Sequence, residues 1–230
     1  MTTERFSVPA DPAEIAGLFR ILQDVSADDA AASHATASEL KEKGLMWVVI
    51  RYELTLSHAL RPGEDILLST WVSWMRHKMF RRAYLLTDAG NRPLGRGAGI
   101  WAIVDRETRA MVDAAERGVA FRIEQTDQEP PRPAAPEKLP AEAERVFTVP
   151  EEWLDLNGHM NNTRYFDVAR ACIGGEAEGL TLRNIRAAYL NEALLGDRLS
   201  VSYARRGNLW AFEGKKKGET CFQISLEYES

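Results

Sequence analysis

The chain has 230 residues, of which 45% are hydrophobic and 27% charged, and a formal net charge of −5. This composition fits a globular chain of one large or two ordinary domains, excludes disorder throughout, and argues against a general nucleic-acid binder. No apolar run approaches the roughly 20 residues of a membrane span, and two cysteines, Cys172 and Cys221, supply neither a disulfide framework nor paired zinc spacing.

The opening MTTERFSVPADPAEI holds neither an apolar signal core nor an Arg/Ser-rich transit stretch, so a cytoplasmic chain starting near Met1 is expected. Helix formers with a closing glycine predict a first helix over Asp28 to Gly44. Four β-rich segments follow, LMWVVIRYELTL, DILLSTWVSWMRHK, FRRAYLLTD and GIWAIVD, the last two separated by the turn Ala89-Gly90-Asn91. Alternation at Ile66, Leu68 and Thr70 predicts a sheet with one buried face. At Asp127 to Pro140 the composition breaks, with five of the chain's ten prolines, as in a semi-extended connector. The expected division is therefore residues 1–126, a linker over 127–140, and residues 141–230.

The second part repeats the plan. A helix is predicted over Asn161 to Gly175, with Tyr165, Ala169 and Cys172 on one face. Strands follow at LRNIRAAYL, RLSVSYARR, NLWAFEG and CFQISLEYE. The run from Ile50-Arg51 to Ala59-Leu60 aligns with that from Ile185-Arg186 to Ala193-Leu194, and both lead through glycine and an acid into a strand. One helix followed by antiparallel strands, stated twice, is an α+β plan in which a sheet wraps a helix.

Polar residues crowd ahead of the second helix: Asp155, Asn157, His159, Asn161 and Asn162. A helix start offers free N–H groups and a favourable dipole to developing negative charge. Downstream, Asn191-Glu192 interrupts the apolar AAYLNEALL. A carboxylate at a strand end, near an imidazole and a second acid, is a candidate general base.

Trp153 and the spaced set Asp155-x-Asn157-x-His159-x-Asn161-Asn162-x-x-Tyr165 resemble the corresponding stretch of the acyl-acyl-carrier-protein thioesterases. In the first half, LMWVVIRYELTLSHALRPGEDILLSTW and GIWAIVDRETR are similar to further features of that family. The resemblance implies a tandem hotdog fold and hydrolysis of the thioester joining a fatty acyl chain to a phosphopantetheine arm. It places catalytic roles on Asp155, Asn157, His159 and Glu192. It implies acyl carrier protein or CoA thioesters as substrates and no metal or cofactor. Plant members often carry Gln where Gly158 stands and Cys where Ala193 stands; without that Cys, a Cys–His nucleophile is excluded and the carboxylate chemistry remains.

Thioester hydrolysis needs an activated water or a nucleophile and donors for the oxyanion, while a thiol of pKa about 8.5 leaves with little acid assistance. The expected roles are Glu192 activating water or attacking directly, His159 orienting it and shuttling the proton, and Asp155 fixing His159. Asn157 would position water or the carbonyl, and main-chain N–H groups around Met160–Asn162 would polarise the thioester. Substrate contacts are expected from Asn161, Asn162, Tyr165 and Trp71. The first half lacks the Asp-x-Asn-x-His set, so it is expected to supply acyl-pocket walls, from Trp47, Trp71, Trp74 and Trp101. Basic clusters at Arg76-His77-Lys78, Arg81-Arg82, Arg205-Arg206 and Lys215-Lys216-Lys217 are candidates for steering an acidic carrier to the pocket mouth. Monomer and homodimer are both compatible with a tandem chain. The rival readings are a hotdog hydratase or dehydratase, whose Asp and His usually lie five apart around a Pro, and a non-catalytic acyl-binding module.

Overall fold

Ten strands form one antiparallel sheet in the computed structural model, which describes residues 1–8 and 15–229. In chain order the elements are β1 (Thr2–Ser7), α1 (Ile15–Ala31), α2 (Ala37–Glu42), β2 (Leu45–Leu56), β3 (Asp65–Arg76), β4 (Met79–Thr87) and β5 (Pro93–Asp105). Then come β6 (Ala143–Thr148), α3 (Arg164–Ile173), β7 (Thr181–Tyr189), β8 (Arg198–Arg206), β9 (Leu209–Lys216) and β10 (Glu219–Glu229). The spatial order β1-β3-β4-β5-β2-β7-β10-β9-β8-β6 is a mirror: each half repeats edge strand, helix and four further strands in one sequence order. The halves meet where β2 pairs with β7, and Tyr52 faces Ala187 there. Those two residues are also equivalent when Ile50 is aligned with Ile185.

The expected helix over Asp28 to Gly44 is corrected. The long helix is α1, whose apolar residues Ile15, Leu18, Phe19, Leu22 and Val25 recur at helical spacing and are buried. It stops before His34, which takes a left-handed φ of 49°. A separate short helix then starts at a capping box, in which the Thr36 hydroxyl accepts from Glu39 N and the Glu39 carboxylate accepts from Thr36 N. Helices α1 and α3 lie against one face of the sheet and share its main core, with the Phe19 and Phe166 rings 4.3 Å apart.

Gly95, Gly97 and Gly99 of β5 stand opposite Leu56, Leu54 and Tyr52 of β2. A Cβ on Gly97 would lie 2.5 Å from the Glu53 carbonyl oxygen, which is backbone and cannot swing aside. Gly97→Ala should therefore cost about 2 kcal/mol of stability, read from the urea midpoint; an unchanged midpoint would contradict this close approach.

The proline-rich segment crosses the outer face of the sheet. Pro130, Pro133 and Pro136 are buried while the residues between them are not, a period of three that matches a polyproline II helix with one edge on the strands. Along its path Glu129 pairs with Arg81, Ala134 N donates to Glu53 Oε2 at 2.8 Å, the Glu137 carboxylate bridges to Arg186 at 2.9 Å, and Glu137 N donates to Ser225 Oγ at 3.1 Å. Burial pushes the Glu53 carboxyl up, but the Ala134 N–H and the Arg186 guanidinium outweigh it and hold it below the usual carboxylate range.

Candidate active site

The loop from Trp153 to Thr163 is folded around Asp155. Its Oδ1 accepts from Asn157 N at 2.7 Å and from His159 N at 3.2 Å, and its own N–H donates to the His159 carbonyl at 2.7 Å. The turn is completed by Gly158, whose φ of +79° suits glycine. Among the described residues Asp155 Oδ2 is left with one long contact, to Asn157 Nδ2 at 3.4 Å. Asp155 thus holds the main chain of His159 and does not touch its ring.

The His159 ring meets the other predicted carboxylate: Nε2 lies 3.2 Å from Glu192 Oε2. The short bridge between His159 and Leu194 brings these segments together. Two residues from the first half complete the cluster. Arg109 places Nη1 3.2 Å from Glu192 Oε2 and Nη2 3.3 Å from His159 Nε2, and Arg106 donates to Asn157 Oδ1 at 2.6 Å. His159 Nε2 donates to Glu192 in one tautomer or accepts from Arg109 Nη2 in the other, while Arg109 Nη1 donates to Glu192 in both. Arg109 holds a left-handed φ of 59°. Its loop is organised by Asp105, which accepts from the N–H groups of Thr108 and Glu107; Thr108 above all holds that carboxyl below its usual range.

Two cavities meet at this cluster. A smaller one of about 220 Å³, the chain cavity, lies between α1 and the first-half sheet, lined by Ala30, Trp47, Phe80, Arg82 and Trp101 among others. A wider one of about 640 Å³ forms the mouth and is lined by Arg109, His159, Tyr165, Tyr189 and Glu192 among others. Trp47, Asp155, Asn157 and Asn162 line both, so they stand at the junction. Glu192 and His159 belong to the mouth alone.

Several expectations are corrected by this geometry. Met160 N donates to the Ala193 carbonyl and Asn161 N to the Trp153 carbonyl, both at 2.8 Å, so neither is free for an oxyanion. Asn161 does line the chain cavity, while its Oδ1 accepts from Thr163 N and Oγ1 at 2.9 Å each and shapes the entry to α3. Trp71 does not reach the cavity. Its neighbours Thr70 and Val72 face inward, and strand alternation turns Trp71 to the outer face. Trp74 likewise sits with Arg81 and Arg132 on the strap side. Arg82 lines the chain cavity, is only 5% exposed and pairs with Asp29, which removes it from the surface, and Arg81 is engaged by Glu129 of the proline-rich segment. Tyr165 forms part of the mouth wall, its ring 4.6 Å from that of Phe222, and burial raises its phenol pKa strongly. Both cysteines are buried, and burial pushes the Cys172 thiol up to about 11, the opposite of an activated nucleophile. Arg106 and Arg109 were not among the expected site residues, although Arg109 closes the GIWAIVDRETR segment already singled out.

An antiparallel-sheet protein with a carboxylate, amide and imidazole cluster between a chain cavity and an open mouth is the class that fold and site define. The family model described as the acyl-ACP thioesterase N-terminal domain matches residues 9–120, and that described as the C-terminal domain matches residues 137–229. The chain belongs to the acyl-ACP thioesterase family. Among curated relatives it is 26% identical over 187 residues to the chloroplastic palmitoyl-acyl carrier protein thioesterase of Arabidopsis thaliana, covering 74% of this chain and 45% of that protein. It is 25% identical over 138 residues to the chloroplastic acyl-[acyl-carrier-protein] hydrolase FATB2 of Cuphea viscosissima, covering 55% of this chain and 33% of that one. The matches thus span less than half of these relatives' length. Among solved structures, an acyl-ACP thioesterase from Bacteroides thetaiotaomicron superposes with a TM-score of 0.83 at 21% identity, covering 99% of this chain and 97% of that one. The 12:0-ACP thioesterase from Umbellularia californica gives 0.82 at 18% identity, covering 99% and 96%. The fold is therefore shared across nearly the whole chain. Among the described residues no helix is long and apolar enough to cross a membrane.

Proposed function

We propose that this chain hydrolyses fatty acyl thioesters carried on acyl carrier protein, releasing a free fatty acid and the carrier thiol. Residues 1–126 and 141–230 form two hotdog modules joined by the strap over 127–140, with one site between them. The observation that carries this reading is the junction: the chain cavity and the wide mouth share Asp155, Asn157 and Asn162 as common walls. The acyl chain lies in the first, the pantetheine arm enters through the second, and the carbonyl sits between them.

In this arrangement Asp155 Oδ2, the carboxylate oxygen left without a strong donor, takes a proton from water as the water oxygen attacks the carbonyl carbon. The amides of Asn157 and Asn162 supply donors to the developing oxyanion. Collapse breaks the carbon–sulfur bond toward the mouth and yields the carboxylic acid; the thiolate leaves beside the His159 imidazole without acid assistance and takes up, through solvent, the proton that Asp155 received, which restores the carboxylate. Glu192 and Arg109 hold the imidazole, and with Arg109 the cluster stays favourable to an anionic sulfur. Arg106 fixes the Asn157 amide by bonding its oxygen. The carrier approaches over a rim that is both basic and apolar: Lys216 donates to the Glu192 carbonyl at 2.9 Å, Lys78 to the Met111 carbonyl at 3.0 Å, and Leu156 and Leu190 are exposed nearby.

The test is incubation of purified protein with dodecanoyl- and hexadecanoyl-carrier protein while free thiol is followed and the acyl product weighed by mass spectrometry. Thiol release with an unmodified fatty acid is expected; an acyl chain altered by water addition, or an intact thioester, would contradict the reading. Because Glu192 stands off the junction, Glu192→Gln should lower kcat only about tenfold, with KM little changed. Complete loss of turnover in that variant would move the base from Asp155 to Glu192.

A further inference from the structure

The wall of the chain cavity is not apolar throughout. Arg82 lines it and is 5% exposed. Only its Nη1 is engaged, by Asp29 Oδ2 at 2.6 Å and more weakly by Thr70 Oγ1 at 3.4 Å. Among the described residues, Nε and Nη2 of Arg82 carry no hydrogen bond. The Gln23 side chain lines the same cavity. A guanidinium has five N–H donors, and donors taken out of water without a partner oppose binding of whatever covers them.

Arg82 is also not among the residues that line both cavities. It pairs across the sheet with Gly99, which stands six positions ahead of Asp105 on β5, so roughly 20 Å of strand separates it from the loop that carries Arg106. A group meeting Arg82 therefore belongs to the distal part of an acyl chain and not to the thioester. Asp29 already neutralises the guanidinium, so a second buried carboxylate there would lack a counter-charge. A neutral oxygen that accepts from Nε or Nη2 satisfies both conditions.

Building on the thioesterase reading, we infer that Arg82 forms a specificity subsite for acyl chains bearing a hydroxyl or oxo group toward their methyl end. A site built to hydrogen-bond a substrate oxygen discriminates strongly against the analogue that lacks it, because its own polar groups are then left unpaired. Plain saturated chains long enough to reach Arg82 would cover its open N–H groups without answering them.

The experiment compares ω-hydroxy and unmodified fatty acids of 8 to 16 carbons by quenching of tryptophan fluorescence, Trp47 and Trp101 both being in the cavity wall. The same pairs are then compared as CoA thioesters by thiol release. At one chain length the hydroxylated acid should bind roughly tenfold more tightly, with a matching gain in kcat/KM. Arg82→Lys, which keeps the charge beside Asp29 but loses the fork, should erase that preference, as should the paired change Arg82→Leu with Asp29→Leu. Equal or weaker binding of every hydroxylated acid by the unaltered protein would overturn the subsite, as would a preference that survives Arg82→Lys. Absence of thiol release from all thioesters, with the binding preference intact, would refute the hydrolase reading and leave the subsite standing.

Discussion

Asp155→Asn should lower kcat for a fatty acyl thioester by roughly a thousandfold while leaving the fold and KM near their original values. The substitution isolates charge from geometry. An asparagine Oδ1 still accepts from Asn157 N and His159 N, so the turn around Gly158 keeps its anchors. What disappears is the second carboxylate oxygen at the junction of the two cavities. Unfolding midpoint and fatty-acid binding measured on the same variant separate this from collapse of the loop. Retention of more than a tenth of the original kcat would remove Asp155 from the role of base.

Arg109→Met should lower kcat by roughly a hundredfold, and Arg109→Lys should recover only part of it. The guanidinium reaches Glu192 through one nitrogen and His159 through another, a fork that a lysine ammonium cannot reproduce. Because Arg109 acts through the imidazole and the carboxylate, the readout that marks a positioning role is a kcat loss with KM and the unfolding midpoint little changed, partly rescued by Arg109→Lys. A change confined to stability, with kcat in place, would make Arg109 a structural residue only. The half of the chain that carries no Asp-x-Asn-x-His set would then be limited to binding the acyl tail.

Much of the architecture was legible in the sequence, and the failures have physical reasons. β2, β3, β4 and β8 were readable because branched and aromatic residues alternate and end at Gly, Asn or paired-charge turns. The edge strands β1 and β6 were not, since both are short and mostly exposed and owe their pairing to neighbours distant in sequence. The first helix was misplaced because Gly44 was read as the end of one long helix, whereas Thr36 and Glu39 announce a new start. The inward alternation of Ile66, Leu68 and Thr70 already turns Trp71 outward. Its burial comes from lying on the face that the proline segment crosses, which no strand pattern reveals. Within the candidate site, the Asp155, Asn157 and His159 spacing was visible because one loop holds them. The partnership of Glu192 with Arg109 was not, because 83 positions separate them and only the pairing of β2 with β7 brings their ends together.

The central claim is that the thioester carbonyl lies where the two cavities meet. A crystal structure with an acyl-pantetheine analogue, in which a methylene replaces the thioester sulfur to give a ketone, tests it directly. The ketone oxygen should lie within hydrogen-bonding distance of the Asn157 or Asn162 amide, with the acyl chain directed toward Arg82 and the pantetheine passing His159. An acyl chain lodged instead in the separate cavity beside Val8, Leu60 and Tyr228 would contradict the account.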